Sequence, residues 1–286
     1  MSFDGWIGRE VRAKDWLDDA LAARWLATFD LPKPHPAIMP QGIHFALCTP
    51  DAPTEQLGED GHPARDDSPA SFLPPFPQFG SGPRRMWASS KMQFVAPIAI
   101  GAVIDRTSRI AAVSEKAGST GRLAFVDVEH VTKANGTIAV IETQTLVYRE
   151  AVAPDARLSP PPLGEGLFSP EGWDAHHTLT PDARLLFRYS ALTFNTHRIH
   201  YDAPYAQQVE RYRGLVVHGP LTASLLLQLA ARELGANRLR TFSFRGLSPA
   251  IAGEPLHLVM KQGEAGYDLA AYADDGRQVT AASATI

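Results

Sequence analysis

Two short segments in the C-terminal half of the 286-residue sequence combine side chains that can move a proton with a backbone that can bind an oxygen atom. Residues 190–202 read SALTFNTHRIHYD and contain Asn195, His200 and Asp202. Residues 214–220 read GLVVHGP and contain His218-Gly219. A histidine titrates near neutrality, so His200 can act as a general base and acid. If a helix begins at Gly219, its amide can bind an oxygen on which negative charge develops.

A strongly apolar helix is predicted directly after His218-Gly219. The stretch PLTASLLLQLAARELG begins with Pro220, which suits the first helical turn, and ends at Gly235, which suits a C-terminal stop. Its apolar residues cover nearly the whole circumference, so the helix must be wrapped on most sides. The apolar run 221–231 is about half as long as a bilayer span, which predicts a buried helix and no membrane segment.

Antiparallel strands are predicted in both halves of the chain. Between residues 91 and 150 the apolar run QFVAPIAIG is expected to form a strand ending at Gly101, and Asn135-Gly136 joins two alternating runs. Such an Asn-Gly pair is a strong hairpin signal, because both turn residues need positive φ. The C-terminal segment from residue 242 has similar runs, with Asp275-Gly276 as its turn. Each block follows a predicted helix, DDALAARWLATF or, more weakly, QGIHFALC in the first half.

An internal repeat relates the two halves. Phe94, Pro97 and Gly101 correspond to Phe244, Pro249 and Gly253. Two segments rich in proline and glycine, 51–83 and 153–170, are expected to be extended surface connections. We place a domain boundary in the second, near Pro160, so that residues 1–155 and 156–286 form two α+β units.

The polar segments resemble the site motif of the MaoC-like family of (R)-specific enoyl-CoA hydratases and type 2 3-hydroxyacyl-thioester dehydratases. That motif has an acidic residue five positions before a histidine, then a His-Gly pair at the start of a helix. Asn195, His200 and His218-Gly219 fall on these positions. The resemblance implies a double hot-dog fold, in which each antiparallel sheet wraps a helix. It also implies that the C-terminal unit is catalytic and that the N-terminal unit is a degenerate copy shaping the acyl tunnel.

One position departs from the family pattern, because Asn195 replaces the usual aspartate. An amide cannot take a proton, so Asn195 can orient a water but cannot be the base. Asp202 is a candidate for the missing carboxylate. The variant motif F-N-x-H-R-I-H-Y-D resembles a subgroup that contains mesaconyl-C4-CoA and itaconyl-CoA hydratases and the mitochondrial-type dehydratases.

The resemblance implies reversible hydration of an α,β-unsaturated acyl-CoA, with no cofactor besides the CoA of the substrate. His200 would be base and acid, and Gly219, beside His218, would bind the thioester oxygen. Three arginines near the site could hold a substrate carboxylate or the CoA phosphates, or could form a solvated face or ion pairs between subunits: Arg198, Arg211 and Arg213. A carboxylate clamp suits a short dicarboxylyl-CoA such as mesaconyl- or itaconyl-CoA.

Several alternatives stay open on the sequence. The same fold could dehydrate monocarboxylic acyl thioesters, hydrolyse thioesters, or bind them without catalysis. A metal cluster of His197, His200 and Asp202 is disfavoured, because no further ligand set is evident. Asp30 and His35 in TFDLPKPH partly repeat the pattern of Asn195 and His200 and could contribute to a second site.

Charge and cysteine content restrict the location and partners. The formal net charge of -4 disfavours non-specific nucleic-acid binding. The single cysteine, Cys48, fits a reducing compartment. With no export signal visible, a cytoplasmic protein is expected. The family further implies a homodimer.

Overall fold

A computed structural model describes residues 3–64, 71–79, 83–118 and 121–286. Within these ranges ten strands form one antiparallel sheet: β1 Glu10–Trp16, β2 Arg84–Phe94, β3 Val103–Gly118, β4 Gly121–Ala134, β5 Thr137–Arg149, β6 Ala175–Leu179, β7 Thr241–Gly246, β8 Leu256–Gly263, β9 Gly266–Ala273 and β10 Gln278–Thr285. The same ranges contain four α-helices: α1 Asp19–Thr28, α2 Ala183–Thr193, α3 Ala203–Gln208 and α4 Gly219–Leu234. The α+β class predicted from the sequence is confirmed.

The strand order divides the sheet into two sequence halves. It runs β1-β3-β4-β5-β2-β7-β10-β9-β8-β6, so that each half supplies five neighbouring strands. The halves join where β2 pairs with β7, for example through Ser90 opposite Phe244. The predicted turns at Asn135-Gly136 and Asp275-Gly276 connect β4 to β5 and β9 to β10. The two halves therefore repeat one order of elements, and the proposed boundary at residues 155 and 156 lies between β5 and β6.

Helix α4 forms the centre of the main core. Pro220 occupies its first turn, and Gly235 ends it with a φ of 95°, as the sequence pattern predicts. Its leucines lie in one apolar cluster with Trp25 of α1, Tyr189 of α2 and Phe242 of β7. With 16 residues it is the longest helix among the described residues, where no helix has the length and apolar character needed to cross a membrane.

The first half has a shorter element at the position that α4 holds in the second. In the described part of that half, β1 and α1 are followed only by short 3-10 turns before β2, the first of them at Ile43–Ala46. The outer part of β3 to β5 instead packs against Phe76 and Phe79 of the connection 51–83. That connection was predicted to be an extended surface segment. At Phe76 and Phe79 this prediction is wrong, because both side chains are buried against an apolar sheet face. Residues 51–60 are exposed or partly exposed, as expected.

The predicted strand QFVAPIAIG ends earlier than expected. Strand β2 stops at Phe94, and the Val95 and Ala96 amides both turn to the Ala139 carbonyl. Pro97 has no amide hydrogen to continue a ladder, so the apolar residues after Phe94 form a loop. Apolar character alone did not distinguish this loop from a strand.

Candidate active site

The segment that carries Asn195 and His200 begins where α2 ends. Phe194 adopts a left-handed conformation with a φ of 48°, and the Asn195 amide donates to the Ser190 carbonyl at 2.9 Å. This turn redirects the chain into a 3-10 turn at Arg198–His200. His197 and His200 are buried by it, while Phe194 stays exposed. The turn therefore places two imidazoles, which are three positions apart in the sequence, in the protein interior.

One backbone contact fixes the orientation of His200. Its Nδ1 lies 2.7 Å from the Val216 carbonyl oxygen, and the Val216 amide donates back to the Ile199 carbonyl. Since a carbonyl only accepts, Nδ1 carries the hydrogen and Nε2 carries the lone pair. Burial lowers the pKa of His200 from 6.5 to about 4, although the bond to Val216 opposes this shift. At neutral pH the ring is thus a neutral proton acceptor.

His218 stacks on His200 at the start of α4. Their ring centroids lie 3.6 Å apart with an interplanar angle of 19°, and His218 Nε2 lies 2.9 Å from Ser190 Oγ. Gly219 is the first residue of α4, so its amide belongs to the four that a helix leaves without an internal acceptor. His218 therefore links the two groups, because it stacks on His200 and directly precedes the positive end of the helix dipole.

The structure places Asn195 and Asp202 in different surroundings. Asn195 Oδ1 accepts from the His197 amide at 2.9 Å, which braces the turn between the two buried histidines. Asp202 caps α3 by accepting from the Tyr205 amide, and its other oxygen pairs with Arg198 at 2.8 Å. The contacts of Asp202 hold α3 and Arg198. Its predicted role as a replacement carboxylate stays a prediction.

Each of the three arginines proposed as a clamp is bound to protein groups. Arg198 lies 4.0 Å from the Tyr205 ring centroid in addition to its pairing with Asp202. Arg211 donates to the Ala156 carbonyl, and Arg213 forms a two-pronged ion pair with Glu254. Arg198 and Arg213 thus form ion pairs within the chain, whereas Arg211 is bound to backbone carbonyls. A clamp role stays a prediction and would require each guanidinium to release or share these partners.

Two residues that the sequence patterns did not indicate reach this site from the first half of the chain. Asp60 and His62 belong to the connection 51–83, and the His62 ring lies 4.2 Å from that of His197 between centroids. Asp60 Oδ2 accepts from His62 Nδ1 at 3.0 Å. An Asp-x-His sequence favours such a local bond. Its contact with His197, 135 residues away, has no signal in a single sequence.

The chain also offers a group of potential metal ligands here. Asp60, His62 and His197 each present a donor atom, and these atoms all lie within 4.8 Å of one another. The group differs from the metal cluster weighed from the sequence, which combined His197 with His200 and Asp202. His62 Nδ1 is bonded to Asp60 at 3.0 Å.

Five histidines, four of them buried and His130 partly buried, make the stability of the fold depend on pH. Burial lowers the pKa values of His44 and His130 to about 3 and that of His200 to about 4, and those of His197 and His218 also fall well below 6.5. Between pH 6.5 and about 4 the unfolded chain binds protons that the folded chain excludes. Stability therefore falls with falling pH, by about 1.4 kcal/mol per pH unit for each such histidine.

A His130→Gln variant tests this prediction away from the site. Urea unfolding between pH 7 and 5 should show a smaller slope of stability against pH in the variant, by one histidine's share. Comparing slopes removes the opposite contribution of Glu142 and Glu210, whose pKa values are raised chiefly by burial. Equal slopes in the two proteins would contradict a His130 that is neutral in the folded protein.

Comparisons with known proteins agree with this architecture. The family model for hydroxyacyl-thioester dehydratase type 2 matches residues 42–252. A mesaconyl-C(4)-CoA hydratase of Chloroflexus aurantiacus is 40% identical over 98% of this chain and 96% of its own. A MaoC-like dehydratase from Phytophthora capsici superposes with a TM-score of 0.72 at 11% identity, covering 100% of this chain and 98% of that one. A Mycobacterium tuberculosis protein with a double hot-dog fold gives a TM-score of 0.55 at 14% identity, with 97% and 95% covered. The predicted double hot-dog fold is confirmed.

Proposed function

Because the chain belongs to the hydroxyacyl-thioester dehydratase type 2 family, we propose that it reversibly adds water to the double bond of an α,β-unsaturated acyl-CoA thioester. One observation carries the proposal: a neutral His200 with a lone pair on Nε2 lies against His218, next to the first amide of a buried helix. A base and an oxyanion donor are the two groups that this reaction requires.

Water adds to the double bond in two stages, first at Cβ and then at Cα. His200 Nε2 takes a proton from water while the water oxygen bonds to Cβ, and the π electrons move through Cα to the thioester oxygen. The Gly219 amide donates to that oxygen as its negative charge grows. The imidazolium then gives the same proton to Cα, and the thioester carbonyl reforms. Asn195 uses its carbonyl oxygen for the His197 amide, so its NH₂ group is the part that we propose orients the water.

The preferred substrate is a short dicarboxylyl-CoA. The support is the full-length similarity to the Chloroflexus mesaconyl-C(4)-CoA hydratase, so mesaconyl-C4-CoA is the first choice and itaconyl-CoA the second. The N-terminal half would line the part of the site that holds the acyl group. In support, a Cβ built on Gly219 would lie 3.8 Å from the Trp87 carbonyl, and the Trp87 ring contacts Phe45 and Phe244. Dehydration of monocarboxylic 3-hydroxyacyl thioesters is the alternative within the family.

A substrate panel tests the activity. The purified protein is expected to convert mesaconyl-C4-CoA to its hydrated thioester, seen as loss of the enoyl-thioester absorbance and as a new chromatographic peak. Parallel assays with itaconyl-CoA and crotonyl-CoA show whether the enzyme prefers dicarboxylyl or monocarboxylic thioesters. Free CoA release would indicate a thioesterase. Binding of CoA thioesters without turnover of any of them would indicate a non-catalytic subunit.

We further propose a cytoplasmic homodimer that needs no resident cofactor, since CoA arrives with the substrate. The family expectation supports the homodimer and the lack of a resident cofactor, and the free, half-buried Cys48 supports a reducing compartment. Light scattering after gel filtration measures the assembly state.

A further inference from the structure

The connection 51–83 is bonded directly to the segment that carries His200. The Arg198 amide donates to the Asp60 carbonyl at 2.9 Å, and the Thr196 hydroxyl donates to the Gly61 carbonyl. The Arg198 guanidinium also donates to the Glu59 carbonyl at 3.1 Å. These three bonds hold the backbone of residues 59–61 against residues 196–198. The N-terminal half thereby delivers its own side chains to the C-terminal site.

A continuous series of rings leads from Asp60 to His200. Asp60 binds His62 Nδ1, the His62 ring lies 4.2 Å from that of His197, and the His197 ring meets His200 edge to face at 5.4 Å. His197 and His200 are buried, at 6% and 7% exposure. In such surroundings a charge acts more strongly than in water. One hydrogen bond and two ring contacts thus connect Asp60 with His200.

We propose that Asp60 and His62 are positioning residues that supply, through His197, the anionic support for His200 that the neutral Asn195 cannot give. This inference rests on the proposed function, because it concerns the same site. Asp60 does not replace the base. It stabilises the imidazolium that forms on His200 when water is deprotonated, as a carboxylate does for a catalytic histidine elsewhere.

The groups around His197 show why a carboxylate matters. The titratable and charged groups that face it are His62, His200, His218 and Arg85, and all four disfavour a positive charge on its ring. A carboxylate oxygen of Asp60 lies within 4.8 Å of a ring nitrogen of His197, and a negative charge so close favours the protonated ring. Asp202 is turned to Arg198 and to the Tyr205 amide. Among these neighbours of the site, Asp60 is thus the carboxylate joined to His197 through an imidazole.

The decisive variant is Asp60→Asn, because asparagine can still accept from the His62 amide as Asp60 Oδ1 does at 2.9 Å. The turn is kept and the charge is lost. We expect kcat with mesaconyl-C4-CoA to fall about 10-fold, less than the 10²- to 10⁴-fold expected for loss of the acid-base group itself, with little change in KM. The acid limb of the kcat/KM profile should move to lower pH, since a histidine without a nearby carboxylate protonates less readily.

His62→Gln is the second variant and Glu59→Gln the matched control. Glu59 is exposed and lies in the same turn, so its variant removes one negative charge nearby and should behave as wild type. His62→Gln should repeat the loss of kcat and the shift of the limb, and it keeps the test open if Asp60→Asn folds poorly. An unmoved acid limb in both variants overturns the proposal, as does an equal shift in Glu59→Gln.

Two further measurements separate the remaining outcomes. Nitrogen-15 NMR of the histidine rings at neutral pH should show the His197 and His200 signals changing in Asp60→Asn, even if no thioester is turned over. Unchanged His197 and His200 signals would contradict this inference. Changed signals in a protein that turns over no thioester would count against the proposed function alone. The purified protein could instead contain one equivalent of metal that both variants lose, with an activity that a chelator abolishes. That outcome would overturn the proposal in favour of a metal centre.

Discussion

Replacing His200 by alanine is expected to lower kcat for hydration by about 10²- to 10⁴-fold, the range associated with loss of a general acid-base group. The reason is specific to its geometry. Nδ1 is committed to the Val216 carbonyl, so Nε2 is the nitrogen that can take the proton. Steady-state rates with mesaconyl-C4-CoA at neutral pH measure the effect.

His200→Asn separates this chemistry from structure. An asparagine amide can donate to the Val216 carbonyl in place of Nδ1, while it cannot accept a proton. The variant should fold as wild type by melting temperature and lose activity as the alanine variant does. His35→Ala is the matched control, because His35 is exposed and takes the corresponding place in the N-terminal pattern. Full activity in His200→Asn would refute the assignment of the base.

Gly61→Ala is expected to lower kcat by about 10²-fold, the cost of a displacement of about 1 Å at a reacting group. Gly61 has a φ of 87°, and a Cβ there would overlap the carbonyl oxygen of Thr196 and lie 3.4 Å from Cα of His197. Both neighbours are backbone atoms, so the two segments must separate. His62 would then move away from His197, and the turn that carries His200 would shift. Stability should fall by about 1–3 kcal/mol.

Gly101→Ala supplies the control for backbone strain. Gly101 has the same φ of 87°, but a Cβ there meets nothing within 4 Å. Its variant should lose stability from strain alone and keep its turnover. Comparing the two variants by denaturant unfolding and by kcat isolates the overlap with Thr196. Equal activity in both variants would show that the contact between residues 59–61 and 196–198 does not position the site.

The site motif could be read from the sequence because its parts are local. His218, Gly219 and Pro220 are consecutive, and Pro220 with the leucines after it specifies a helix start at that point. His200 is likewise recognisable by its spacing from Asn195. Its orientation is not, since that depends on the Val216 carbonyl, 16 residues further along the chain.

The arginines show the opposite case. Residue type and proximity in sequence made Arg198, Arg211 and Arg213 equally good candidates for a clamp or for ion pairs. Which role each arginine takes depends on the groups that surround it in the fold. For Arg213 that group is Glu254, which lies 41 residues further along the chain. A guanidinium matches a protein carboxylate as well as a substrate one, so composition cannot rank the two.

By itself the sequence determined the α+β class, the internal repeat, the buried helix and the histidine next to its N-terminus, because periodicity, turn residues and helix signals act over a few residues. Only the tertiary structure decided that the connection 51–83 crosses to the other half and places Asp60 and His62 beside His197. That contact depends on how the two halves join at β2 and β7 and on backbone bonds between distant segments. No local propensity encodes either of them.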